Sequence, residues 1–203
     1  FAGPSSAIDG ASPGLGNMRV DAGSTSTASS TSVTRSLVVQ PTASLTVNSG
    51  SLTTTTTQPL AIDGTLTISS SATLNLNTAS MTISPTGALR VVGSAVSPAV
   101  VTGSGSGYNL TINGLLAARF FRFERMAATG VILGSSAGIA PVPLDVRDGT
   151  FGKGSSAANA VLFDVRRNGG HQFSSIVFAD TNGATPFNVR RPSSATGEIA
   201  FLE

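Results

Sequence analysis

Asp145 and Arg147, then Asp164 and Arg166, repeat one arrangement. A carboxylate and a guanidinium stand two residues apart in "LDVRD" and again, nineteen residues on, in "FDVRR". On an extended chain, residues two apart share a face. A carboxylate beside a cation can draw a proton from an acidic carbon while the cation stabilises the carbanion. Two carboxylates flanking a glycosidic bond can hydrolyse it. If Asp145 and Asp164 are neighbours on successive strands, with Asp148 and Asp180 nearby, Arg147 or Arg166 is placed to stabilise such a carbanion. The substrate is then an acidic polysaccharide.

The segment also reads without chemistry. Residues 121–125 are "FRFER", 144–148 "LDVRD", 163–167 "FDVRR" and 187–191 "FNVRR", at steps of 23, 19 and 24. Stacked at that period, Phe121, Leu144, Phe163 and Phe187 form one inward column, and Phe123, Val146, Val165 and Val189 the next. The residues between them point outward. Arg122 then falls over Asp145, Glu124 over Arg147, and Arg125 over Asp148, a ladder of opposite charges that fixes register. Further along, Arg147, Arg166 and Arg190 fall in one column, with Arg167 and Arg191 beside them. Like charges opposite each other destabilise a sheet unless neutralised. Asp164, Asp180 or an outside anion is expected to do so. That makes Arg147, Arg166, Arg167, Arg190 and Arg191 the candidate surface for an anionic polysaccharide, a lipopolysaccharide or a neighbouring subunit.

Other chemistries find little support. There is no Cys, so no disulfide framework and no thiolate metal site. No metal or cofactor is expected. The single His171 sits in "NGGHQF" and reads as a turn residue, and a lone His without a nucleophile-elbow motif assembles no Ser–His–Asp triad. "GSGSG" at 103–107 has neither the following helix nor the Lys of a phosphate cradle, and reads as a flexible turn. Trp is absent and Tyr108 is the only Tyr, so platforms for stacking sugars are few.

The elements that carry these residues are short strands. From residue 36, triplets such as "LTV" at 45–47, "LTI" at 66–68 and "MTI" at 81–83 alternate with period two. The leading apolar residues are Leu37, Leu45, Leu52, Leu60, Leu66, Leu74, Met81 and Leu89, at steps of 8, 7, 8, 6, 8, 7 and 8. Taken every third, the steps are 21 to 23. Three short strands per turn at a fixed period is the arithmetic of a solenoid. The expected fold is all-β: a right-handed, three-sided parallel β-helix of about 22 residues per coil, over residues 36–203. The competing fold, a β-sandwich, would need more Asn-Gly hairpin turns than the chain has. Residues 1–35 are rich in Gly, Ser and Thr and read as an arm or linker, with "NMRV" as a strand in it.

Composition narrows the setting. Of 203 residues, 40% are apolar and only 11% charged, while Ser and Thr together number 53. Polar without charge is the texture of exported bacterial β-proteins. The charges are uneven: residues 1–117 hold six and residues 118–203 the other sixteen. With a net charge of +2, the chain is not read as a nucleic-acid binder. It has no run of eighteen apolar residues, and no membrane span is expected. It starts at Phe1, which suggests upstream processing, and ends in a strand-like "EIAFLE" with no cap pattern.

"SLTVNSGSLT", "GTLTISSSATLNLN" and "ALRVVGS" resemble the coils of secreted bacterial right-handed parallel β-helix proteins, the group of pectin-lyase-like enzymes, autotransporter passengers and adhesins. The resemblance covers residues 36–203 and implies export on a repeat scaffold. It carries over no catalytic residue, because no stretch matches a lyase or hydrolase site. The expected function is that of a non-enzymatic extracellular structural or adhesive protein, a filament or surface-layer subunit that self-associates through coil ends or the arm. The alternative is a β-helix that binds or cleaves acidic glycans.

Overall fold

The computed structural model describes residues 6–8, 12–29, 32–55, 59–179 and 187–203. The strands among them pair in parallel, each with the strand one coil before and after, and together they form a β-solenoid of about seven turns. No helix occurs among the described residues.

Three faces result. The first stacks Thr25–Ala28, Ser44–Val47, Thr65–Ile68, Ala88–Val92, Leu115–Arg119 and Gly138–Ile139. The second stacks Ser51–Thr54, Thr73–Asn75, Ala99–Thr102, Phe121–Glu124 and then residues 149–152 and 176–179. The third stacks Leu60–Ile62, Ser80–Ile83, Tyr108–Ile112, Met126–Leu133, Val161–Val165 and Phe187–Arg190. Residues 17–20 pair with 36–39, and 25–28 with 44–47, so the ladder runs upstream of residue 36 and "NMRV" lies within strand Ser12–Val20.

Alternation places the core. On the first face, Leu45, Leu66, Leu89 and Leu116 stack inward, all fully buried, while Thr46 and Thr67 face out. Each buried Leu contributes on the order of 1.5–3 kcal/mol through apolar burial. The expected pairings Leu45–Leu66, Leu52–Leu74, Leu60–Met81 and Leu66–Leu89 are all present. Between the third and first faces the coils pass through Gly64, Gly87 and Gly114. A Cβ at Gly114 would come within 2.1 Å of the Gly87 carbonyl oxygen, so the corner closes only with glycine.

In the second half the core changes from aliphatic to aromatic. Phe151 lies 4.6–5.7 Å, ring centre to ring centre, from Phe121, Phe123, Phe163 and Phe178. The ring of Phe121 occupies the space over Gly149, where a Cβ would lie 2.1 Å from it.

The C-terminal coils do not stack as the repeated motif suggests. Phe123 lies opposite Phe151 and Phe163 opposite Val189, both farther along the chain than the motif spacing places them. Leu144 falls in a turn, half-buried, and joins no ladder. The Phe163 column is displaced by two residues from the expected Phe163–Phe187 pairing. A slip of two keeps every side chain on its own face, so the apolar pattern does not resist it. The ionic contacts do favour it. It sets Arg190 opposite Asp164, where the expected register sets it opposite Arg166.

Candidate functional site

Several charged side chains, among them Arg119, Arg125, Arg147, Asp148 and Lys153, sit where the coil turns a corner. Two corners use single residues in the left-handed conformation. Phe120, Asp148 and Ser175 turn the chain from the first face to the second, with φ of 47°, 53° and 52°. Arg125 and Lys153 leave the second face with φ of 57° and 53°. Glycine adopts this conformation without a steric penalty, and a side chain there is held in place by its surroundings.

Asp164 is the most buried charged residue among the described residues. It lies on the third face with no exposed surface, and one carboxylate oxygen, Oδ2, accepts from Arg166 Nε at 2.8 Å and Arg190 Nη2 at 2.5 Å. The other oxygen, Oδ1, is buried with no hydrogen-bond partner among the described residues. The carboxylate thus ties Arg166 on its own coil to Arg190 on the next. Hydrogen bonding to Asp164 raises the Arg190 pKa, so that guanidinium stays charged. Removing one partner of a buried pair strands the other charge, which is why such a clasp is hard to dismantle.

Asp145 is also buried, in the turn before Arg147. Arg147 Nη2 donates to Asp145 Oδ2 at 2.7 Å; Nε approaches Oδ1 to 2.6 Å, but without the alignment of a hydrogen bond. Arg147 lies opposite Arg119, a like-charge pair. Asp145 and Asp148 neutralise it, the latter accepting from Arg119 Nε at 3.2 Å. Asp145 and Asp164 are not ladder neighbours. Asp164 faces Ile132 and Arg190 across the third face, whereas Asp145 precedes a strand that starts on the first. The expected stack of Arg122 on Asp145, Glu124 on Arg147 and Arg125 on Asp148 is likewise absent. Arg122 lies opposite Thr150 and Glu124 opposite Gly152, because the stretch between them is longer than the motif spacing. Asp180 lies outside the described residues.

The expected column of Arg147, Arg166 and Arg190 is divided between faces, and its members have partners within the fold. Arg167 Nε donates to the Ala137 carbonyl at 3.1 Å and its Nη1 to that of Gly170 at 3.2 Å. Arg191 reaches the carbonyls of Arg167, Thr196 and Gly197. These two guanidiniums cap backbone that has left the ladder. His171 opens strand His171–Ala179, its ring edge against Phe173 at 4.7 Å. Burial lowers its pKa, Arg167 lowers it further, and Asp145 opposes both. Its Nε2 is buried without a hydrogen-bond partner among the described residues.

Sequence reasoning passed over a second group. Gly105, Ser106 and Gly107, with Arg125 and Met126 one coil on and Lys153 to Ser156 another coil on, line a polar cleft of about 600 Å³. Lys153 is the chain's only lysine, in "GKGSS". The signal was there: a second Gly/Ser turn, two coils after "GSGSG", carrying the cation that the first one lacks. Distance in sequence concealed it.

No family model, no curated protein and no solved structure matches the chain.

Proposed function

We propose that the protein is a structural, non-catalytic β-solenoid of the extracellular or cell-surface kind that self-associates through its coils. The observation that carries this reading is that the buried carboxylates of the charged half are occupied by arginines of the same chain, on a scaffold of stacked parallel coils. Strand Ile199–Leu202 pairs along one edge with residues 171–174. Beside it Val177, Phe201 and Leu202 are 56%, 39% and 45% exposed. They line an apolar hollow of about 470 Å³ with Ile176 and Phe178. Such an apolar edge accepts a further parallel coil. The chemistry of Asp145 and Asp164 agrees with this: both hold arginines of the same chain. Export accords with a Ser/Thr-rich surface and a chain without Cys, and the coil texture resembles that of secreted bacterial β-helix proteins.

Sedimentation velocity and negative-stain electron microscopy test the proposal. The wild-type chain is expected to form concentration-dependent rods, and the Phe201→Asp, Leu202→Asp double variant to remain monomeric. A wild-type chain that stays monomeric from micromolar to millimolar concentration overturns it.

A further inference from the structure

We propose that the cleft at the corner leaving the second face binds an oxyanion carried on a hydrophilic ligand of the acidic-sugar class, with Arg125 and Lys153 as its cationic contacts. The cleft lies on the side of the solenoid, so this binding stands apart from assembly at the coil end.

Charge comes first. Arg122 and Lys153 both reach one carboxylate, Glu124, which is largely buried. Arg122 occupies it closely, and Lys153 stands off at 3.7 Å. Two cations on one anion leave one positive charge in excess, and the neighbouring Arg125 adds a second. Arg125 is exposed and makes no ion pair or side-chain hydrogen bond among the described residues. Elsewhere in this half the arginines close on Asp145, Asp148, Asp164 or backbone carbonyls, so Arg125 is set apart by having no such partner, and Lys153 by sharing its carboxylate with Arg122.

Shape and lining define the ligand. A volume of about 600 Å³ lies within the ~300–1,000 Å³ usual for small-ligand sites. Such sites are ordinarily apolar. This one is lined by Gly105, Gly107 and Gly154, by Ser106, Ser155 and Ser156, and by the two cations; Met126 is the sole apolar residue. Glycine backbone and serine hydroxyls bond to hydroxyl groups, and the cations to a carboxylate or sulfate. No aromatic ring lines the cleft, which offers nothing for a nucleobase to stack on.

The walls are fixed. A Cβ at Gly107 would lie 2.6 Å from the Met126 carbonyl carbon and the Ala127 nitrogen, and one at Gly103 2.8 Å from the Asn77 carbonyl oxygen and the Tyr108 ring. The glycine turn is therefore seated directly on the coil that carries Arg125. Both cations extend from left-handed backbone, where glycine would turn the same corner without strain.

That last point supplies the test. Arg125→Gly and Lys153→Gly remove the charge and keep the corner. Calorimetric titration of the full chain uses four probes: an oligouronide, a sulfated oligosaccharide, a neutral oligosaccharide of equal length, and inorganic sulfate. The wild type is expected to bind one or both acidic oligosaccharides, more weakly as salt is added. Each glycine variant is expected to weaken that binding about tenfold, the effect of losing one charge-assisted contact. Lys153→Arg should retain it, and Arg90→Ala, on the first face, should leave it unchanged. If a glycine variant melts early, Arg125→Gln with Lys153→Gln replaces it. Equal binding of the neutral oligosaccharide overturns the proposal. So does binding of inorganic sulfate alone, full affinity in the doubly substituted chain, or no binding of any probe.

Discussion

The two halves of the solenoid share one ladder and differ in how they fill and close it. Up to residue 74 the coils are short and nearly even, as from Met18 to its partner Leu37 or from Leu52 to Leu74. They hold Leu, Ile and Val inside and rows of Thr and Ser outside. Beyond that point several lengthen, as from Leu74 to Val101 or from Phe123 to Phe151, and most of all between the partners Val131 and Phe163. The extra residues form corners and turns, the core becomes aromatic, and the charges gather there. A uniform coil can be held by apolar burial alone, because each residue meets its own kind one coil away. An uneven coil exposes corner backbone, which Arg167 and Arg191 cap. It also loses the side-chain match that fixes register, which the Asp164 clasp restores.

The largest test of that contrast is Phe151→Ala. It removes the ring that meets four others and should cost about 3–5 kcal/mol in urea unfolding. In a repeat protein the damage spreads to neighbours first. Hydrogen exchange should therefore show lost protection between Phe121 and Phe201, and little change between Leu37 and Leu66. Equal loss in both regions would mean that the halves are one cooperative unit.

Asp164→Ala comes next. It leaves Arg166 and Arg190 without their carboxylate and should cost about 2–3 kcal/mol in the same assay. This is less than the ~3–5 kcal/mol of a fully buried pair, because both guanidiniums are nearly half exposed. The triple variant Asp164→Leu, Arg166→Met, Arg190→Met should recover most of the loss. If Asp164→Ala is silent, apolar packing alone holds the register of the last coils.

The smallest effect is a pH slope. The pKa of His171 is lowered in the folded chain, so the unfolded chain binds the proton more readily. Its stabilising contribution is complete above the unfolded value of 6.5 and is lost as pH falls through the lower folded value. Thermal melts of the wild type should therefore decline between pH 6.5 and 5 more steeply than those of His171→Gln. Parallel curves would show that the C-terminal coil does not sense this imidazole.

Much of this was legible in the chain. The triplets and their short, even steps imply three strands per coil, and Leu45, Leu66 and Leu89 meet as that spacing requires. The strand character of residues 121–124 and 187–190 was legible too, but not their partners. The repeated Val-Arg motif suggested a stack of like charges, whereas Phe163 faces Val189 and Arg190 faces Asp164. Arg125 was read as a ladder member and Lys153 not at all, since each gains meaning from a turn one or two coils away.

The sequence by itself determined the parallel stacking and, for the coils up to Leu89, the period and the identity of the inward rows, because apolar alternation is local and repeats in every strand. Only the tertiary structure decided the register of the later coils and the composition of the cleft. Alternation has a period of two, so a two-residue slip leaves no trace in the pattern. The choice is made by corner lengths and by ion pairs that reach from one coil to the next, such as Asp164 with Arg190 and Asp148 with Arg119, which no short window contains.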